Sequence, residues 1–294
     1  MIAITLRVYG KLNLTLEVLG RRPDGYHDVA TVLQSVSVSD TLAFRTAPSL
    51  SIRCSDQSLQ GEANLAYQAA LLLQKTRDGG PGAEISIEKG IPVASGMGGG
   101  SADAAATLVA LNRLWRLRLN RPALSRMAAG LGSDVPFFLT GGTALATGRG
   151  ERVVRLPPAP ERWFIIVRPA VQTPNKTATA FSYLNPSHWT TGRASFQLAD
   201  ALRNRSPIRA ANLSNVFDAV VPDAYSEVAR WRSLLMDLSP SKPHLVGAGP
   251  SLYVPVVDRT EGEQTMAQLP QEAGVIMLVA RAVPRSIEVV SEEA

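Results

Sequence analysis

The stretch Ile91–Trp115, IPVASGMGGGSADAAATLVALNRLW, sets four glycines between Gly96 and Gly100 directly ahead of an alanine-rich run. Glycine at this density favours neither helix nor strand, so what the segment offers is bare backbone. Ahead of it, Ala83–Lys89 (AEISIEK) alternates as a strand does. Behind it, Ser101–Leu117 reads as a helix with Ser101 as N-cap and Asp103 in the first turn. A strand, a bare turn and a helix start bring unpaired amides and the positive end of a helix dipole together, which suits a phosphate. The spacing excludes two common phosphate loops. A P-loop requires lysine where this chain has Ser101, and a dinucleotide fingerprint requires glycine at that same position. Taken alone, the segment also answers to a flexible loop or a glycine-lined packing contact.

On the N-terminal side the chain opens with strands. Ile2, Ile4, Leu6 and Val8 alternate, and so do Leu12, Leu14, Leu16 and Val18, with Gly10-Lys11 between the two runs. Shorter alternating segments follow at Thr41–Phe44 and Leu50–Arg53, then a helix over Asn64–Lys75. On the C-terminal side a second helix runs over Pro122–Leu131, with Asn120 near its start and Gly132 at its end. The glycine- and threonine-rich TGGTALATGRG (140–150) then leads into a strand. The pattern breaks at Leu156–Pro160 (LPPAP), which predicts a domain boundary and two units, 1–157 and 158–294. Beyond it lie a buried strand at Phe164–Val167 and helices near Thr177–Leu184, Ala194–Leu202 and Ala224–Leu238. A strand–glycine–strand unit at Leu245–Val256, one more helix and the strand VIMLVAR complete the chain. Mixed strands and helices without a regular βαβ rhythm make the class α+β.

Composition narrows the partners. Hydrophobic residues are 45% and charged residues 19% of the 294, a globular balance that excludes disorder. The net charge of +5 comes from dispersed arginines, so it reads as a solvated basic surface and not as a nucleic-acid face. One cysteine, Cys54, excludes a disulfide framework, and His27, His188 and His244 show no metal-ligand spacing. The N-terminus lacks signal-peptide features and no apolar run spans a bilayer, so a cytoplasmic protein without a membrane partner is expected.

Four motifs stand in order: Gly10–Leu14 (GKLNL), Gly20–His27 (GRRPDGYH), Gly98–Ala105 (GGGSADAA) and Gly132–Phe138 (GSDVPFF). With Pro92–Ala102 as the loop and Gly247-Ala248-Gly249 as a third glycine motif, they resemble the kinase superfamily of galactokinase, homoserine kinase, mevalonate kinase and phosphomevalonate kinase (GHMP). The first two motifs are similar to the branch that phosphorylates a hydroxyl of 4-diphosphocytidyl-2-C-methyl-D-erythritol, giving the 2-phosphate, in the bacterial non-mevalonate isoprenoid precursor pathway. Gly10 stands where alanine is usual in that branch, and Ala102 where serine is common.

The resemblance implies a two-domain GHMP kinase fold, with a ribosomal protein S5 domain 2-like N-terminal domain that binds ATP and a ferredoxin-like C-terminal domain that completes the substrate site. It implies ATP and Mg²⁺ as cofactors and a cytidine diphosphate sugar-alcohol as the small-molecule partner. ATP falls to Pro92, Ala94, Ser95, Gly96, Met97, Gly98, Gly99, Gly100, Ser101 and Ala102, with Asn64, Leu65 and Lys89 alongside and Ser101 as the metal donor. Asp134 would accept the hydroxyl proton, and Lys11 would neutralise charge on the transferred group. Tyr26 and His27 suit a pyrimidine, by stacking and by a ring nitrogen, and Asn13 offers both a donor and an acceptor. Phe181 would be a second base-stacking aromatic, Gly249 a backbone contact, and Arg21 or Arg22 a neighbour of the diphosphate. As isolated residues, Asp134 reads as a helix-end turn, Lys11 as a hairpin lysine and Tyr26-His27 as a strand start after the turn Pro23-Asp24-Gly25. Homoserine and mevalonate kinases are the rival enzymes, but their substrates carry no base to stack. A non-catalytic sensor of the same fold would be expected to have lost Lys11 or Asp134.

Overall fold

A computed structural model describes residues 3–76, 81–171 and 176–293, so Ile2 of the first alternating run lies outside the described residues. The chain begins with two long antiparallel strands, β1 (Ala3–Arg21) and β2 (His27–Ala47), joined by the Pro23–Gly25 turn. Then follow β3 (Ser51–Cys54), α1 (Leu65–Gln74), β4 (Gly82–Glu88), α2 (Gly99–Leu114), α3 (Arg121–Leu131), α4 (Val135–Thr140), β5 (Thr143–Gly148) and β6 (Arg152–Arg155). After the Leu156–Pro160 break come β7 (Trp163–Arg168), α5 (Lys176–Ser182), α6 (Arg193–Arg203), β8 (Ser214–Asn215), α7 (Val221–Ala224), α8 (Ser226–Leu238) and β9 (His244–Leu245). The last elements are β10 (Leu252–Val256), α9 (Arg259–Ala267), β11 (Ile276–Arg281) and β12 (Ile287–Glu293).

Two sheets result, consistent with the α+β class. The larger is ordered β12-β1-β2-β4-β3, with β5 and then β6 beside the near half of β2 and β8 against β1. The smaller is ordered β11-β7-β10-β9 and is antiparallel throughout. Numbered by their own succession these four strands run 4-1-3-2, the ferredoxin-like arrangement. The halves are interwoven: β8 and β12 lie beyond the break yet pair with β1. The strand VIMLVAR therefore does not end the chain, because Ile287–Glu293 returns to the first sheet as an edge.

The reading of Gly10-Lys11 as a break between two strands is corrected. β1 is continuous, and the irregularity lies in its register: Tyr9 pairs with Ser39 but Lys11 with Ser35. The ladder opens there, and the Lys11 N–H donates instead to the Met97 carbonyl of the glycine segment at 2.9 Å. Opening the pairing is how the sheet joins strand and loop. β2 likewise extends well before Thr41, through a run from Val29 to Val36 that is buried on both faces. Double burial removes the alternation by which such a strand is recognised.

Two apolar cores flank this frame. One packs Ile4, Leu6, Val8, Leu12 and Leu14 against α1, α2 and α4, with Phe44, Phe137 and Phe138 among its fully buried side chains. The other gathers Leu16, Val18 and Val29 with Phe217, Trp231, Leu235 and the inner faces of β7 and β10. The middle of β1 lies between them, so its polar alternate residues Lys11, Asn13, Thr15 and Glu17 are buried as well. No helix among the described residues is long and apolar enough to cross a membrane.

Candidate active site

A cleft of about 1170 Å³ opens where β1, the glycine segment, the start of α4, α5 and the β9–β10 turn meet. Single small-ligand pockets run to roughly 300–1,000 Å³, so this one has room for two ligands side by side.

The glycine segment forms one wall. Its helix begins earlier than expected: Gly98, and not Ser101, is the N-cap of α2, in the left-handed conformation and with no side-chain cap. Among the described residues no side chain caps the first-turn amides, which leaves them for an anion. Gly96 has φ +88°, and a Cβ there would fall 2.1 Å from the Val246 carbonyl oxygen, so no other residue fits. Arg168 on β7 steadies the segment by donating from Nε to the Val93 carbonyl at 3.1 Å. Of the expected ATP residues, Gly96, Gly98 and Ser101 line the cleft. Ser95, Met97 and Ala102 are buried beneath it, and Ser95 Oγ accepts the Met97 N–H at 3.3 Å. Pro92, Ala94, Gly99 and Gly100 belong to the loop and the first turn without appearing among the cleft-lining residues.

Asn64, Leu65 and Lys89 take other places. Asn64 caps α1, its Oδ1 accepting the Ala66 N–H and its Nδ2 donating to the Leu59 carbonyl, and Leu65 packs on the core. Lys89 is buried between Asp40 Oδ2 at 2.5 Å and Asp103 Oδ2 at 2.8 Å. Asp40 Oδ1 meanwhile accepts the Gly90 and Ile91 N–H groups at 2.7 and 2.8 Å. Asp103 is thus no exposed first-turn acid, as its position suggests, but part of a buried ion cluster under the loop. Burial pushes its carboxyl up to about 7, Asp40 adds to the rise, and Lys89 opposes it. Burial works against the Lys89 ammonium too, but the two carboxylates outweigh it and raise its pKa.

The reacting centre lies at the foot of the loop. Lys11 Nζ donates to Asn13 Oδ1 at 2.8 Å and lies 3.7 Å from Asp134 Oδ2. Asn13 Nδ2 donates to Thr31 Oγ1, which donates in turn to the Thr15 carbonyl. Both polar ends of Asn13 are therefore engaged in holding Lys11. Asp134 is the N-cap of α4, a helix the sequence reading did not include, yet its side chain makes no cap hydrogen bond. Its carboxylate points away from its own helix, 42% exposed and facing the lysine. The third glycine motif closes the floor: a Cβ at Gly247 would lie 3.2 Å from Lys11 Nζ. Gly247 and Ala248 line the cleft, whereas Gly249 backs onto Leu245 and Val221.

The far end is aromatic. Phe181 of α5 stacks on His27 of β2, with centroids 4.7 Å apart and planes 21° from parallel, and Phe217 meets Phe181 edge-on. Tyr26 stands beside them, 53% exposed. Burial lowers the His27 pKa and the Arg21 charge lowers it further, so near neutral pH its ring is neutral, with one nitrogen to donate and one to accept. Arg21 lines the cleft, while Arg22 is occupied by Asp24 and Asp28. Sequence reading passed over Arg149, Ser133 and Trp189, which also line it. A signal for Arg149 exists in its flanking glycines, 148 and 150.

As for a metal, no group of three or more His, Cys, Asp or Glu among the described residues is arranged to hold one. Among the described residues that line the cleft, Asp134 is the sole carboxylate. That donor set fits an ion carried in by phosphates, since Mg²⁺ is ordinarily bound through one or two protein oxygens with phosphates and water.

The GHMP kinases N terminal domain family matches residues 64–142. A 4-diphosphocytidyl-2-C-methyl-D-erythritol kinase from Moorella thermoacetica is 39% identical, over 92% of this chain and 95% of that one. The protein of the same name from Pelotomaculum thermopropionicum is 41% identical, over 90% and 93%. A crystal structure of 4-(cytidine 5'-diphospho)-2C-methyl-D-erythritol kinase superposes with a TM-score of 0.78 at 27% identity, covering 95% of this chain and 99% of that one. Homoserine kinase from Cytophaga hutchinsonii shares the fold, with a TM-score of 0.70 at 18% identity over 98% and 97% of the two chains.

Proposed function

The chain belongs to the 4-diphosphocytidyl-2-C-methyl-D-erythritol kinase family, and from that premise we propose that its cleft moves the γ-phosphoryl group of ATP onto a hydroxyl of this cytidine diphosphate substrate. The observation that carries the proposal is the meeting of Lys11 and Asp134 at 3.7 Å beneath a helix start with no side-chain cap. Both stand in one cleft with an aromatic end suited to a base.

The triphosphate takes the amides of the loop and the first turn of α2. Asp134 accepts the proton of the substrate hydroxyl, the freed oxygen attacks the γ-phosphorus, and ADP leaves. Such a transfer has a loose transition state, so positioning and charge stabilisation do most of the work. Lys11 supplies positive charge beside the transferring group, and Asn13 holds its ammonium in place. The Ser101 hydroxyl would be the protein donor to a Mg²⁺ ion carried in by the triphosphate, and such an ion would supply further charge neutralisation there. Cytosine belongs at the Tyr26–His27–Phe181 end, where a neutral imidazole meets its hydrogen-bonding edge and the rings offer stacking faces.

The test is ATP consumption by the purified protein with three acceptors. Turnover is expected with the cytidine-containing methylerythritol substrate and not with homoserine or mevalonate. A folded protein that ignores the first and phosphorylates either of the others rejects the assignment.

A further inference from the structure

Arg149 is a cleft cation with no part in the transfer just described. It stands at the tip of the β5–β6 hairpin between Gly148 and Gly150, both with left-handed φ, of +72° and +109°. Glu151 fixes its backbone by accepting the Arg149 N–H at 2.6 Å. The guanidinium itself makes no hydrogen bond or ion pair among the described residues and rests 4.7 Å over the Tyr26 ring. That resting place is a ring face on which a pyrimidine would stack. A guanidinium lying on an aromatic ring still has all its N–H donors to give.

On one side of Arg149 is Tyr26, at the aromatic end. On the other, Gly150 lies against Ser133, with 3.7 Å between a Cβ built on Gly150 and that of Ser133, next to Asp134. A substrate with its base at one end and its reacting hydroxyl at the other must place its diphosphate between them. Among the neighbouring cations, Arg22 is held by Asp24 and Asp28, and Lys11 is buried and turned to Asn13 and Asp134. Arg21 also lines the cleft, but it pairs with His27 in the β1–β2 ladder and so sits at the base end, away from Ser133 and Asp134.

Resting on the kinase reading of the cleft, we infer that Arg149 binds the diphosphate of the substrate and, in doing so, frees the Tyr26 ring for the cytosine. The planar fork of arginine matches paired phosphate oxygens. Exchanging the ring for the diphosphate makes base stacking and diphosphate binding favour each other.

The experiment is a cycle of two ligands and three proteins. Cytidine and cytidine diphosphate are titrated calorimetrically into the wild type, Arg149→Ala and Arg149→Lys, with melting temperatures confirming that each variant is folded. Arg149→Ala is expected to weaken cytidine diphosphate about 10- to 100-fold, the range for losing a charge-assisted hydrogen bond, while cytidine alone, with no guanidinium to displace from the Tyr26 ring, holds or binds up to about fivefold tighter. Arg149→Lys should recover part of the loss, and in turnover the KM for the cytidine substrate should rise while that for ATP holds. Equal losses for both ligands would overturn the inference, because Arg149 would then only shape the base pocket. No loss for either would overturn it too. A wild type that discriminates the two ligands through Arg149 but turns over no substrate would sink the kinase reading and leave the diphosphate site standing.

Discussion

Lys11 and Lys89 flank the same glycine loop, both are buried and both face aspartate, yet their surroundings differ in kind. Lys89 is enclosed: Asp40 and Asp103 take its ammonium at 2.5 and 2.8 Å, and Asp40 also ties the Gly90 and Ile91 amides at the approach to the loop. Lys11 is held at one point, by Asn13, and its carboxylate partner stands off at 3.7 Å with its face open to the cleft. The difference teaches that burial and charge do not mark the reactive lysine. What marks it is donor capacity left over and aimed at a group that a ligand can reach.

The comparison breaks most sharply at Asp134. Asp134→Asn is expected to lower kcat by about 10²- to 10⁴-fold, the usual contribution of a positioned base. Substrate affinity by calorimetry and the melting temperature should change little, since that carboxylate caps nothing. Retained turnover would remove Asp134 from the proton transfer.

The opposite profile is expected behind the loop. Lys89→Met leaves the buried Asp40 carboxylate without its cation and drives a proton onto Asp103, a loss of about 3–5 kcal/mol measurable by denaturant unfolding. The same substitution at Lys11 should stop turnover and cost far less stability. If the two variants lost stability equally, the distinction between an enclosed and an open lysine would fail.

The smallest effect concerns pH. The Asp103 carboxyl rises from the ordinary 3.8 to about 7 in the folded chain, so the folded state holds its proton more tightly. Its contribution to stability is full below about pH 4 and is lost as pH rises toward 7. Lys89, with its pKa raised, stays charged throughout that window. Asp103→Asn should flatten this part of the stability profile, and an unchanged slope in urea unfolding from pH 4 to 7 would contradict the assignment.

How much was legible follows from particular residues. Asn120 and Asn64 cap α3 and α1 as their positions suggest, because capping joins near neighbours in the chain. Gly10-Lys11 resembled a turn because glycine beside a polar residue usually is one. Only pairing with β2 turns it into an opening in a continuous strand. Val29–Val36 carried no period of two, since both of its faces are covered. Ile287–Glu293 was missed for the converse reason: it is a mostly exposed edge strand in which even Val289 and Val290 face solvent, with little burial to pattern it.

The sequence by itself determined that a strand, a bare loop and a helix follow one another, the Pro23-Asp24-Gly25 turn, and the order of motifs that places a lysine, a glycine loop and an aspartate in one chain. Those depend on short-range chemistry: allowed backbone angles, caps and periodicity. Only the tertiary structure decided that Phe181 reaches His27, that Gly247 comes up against Lys11, and that Lys89 is closed in while Lys11 stays open. Each of these requires segments far apart in the chain to close on one another. The partners a buried charge keeps are set by that closure and not by its neighbours in sequence.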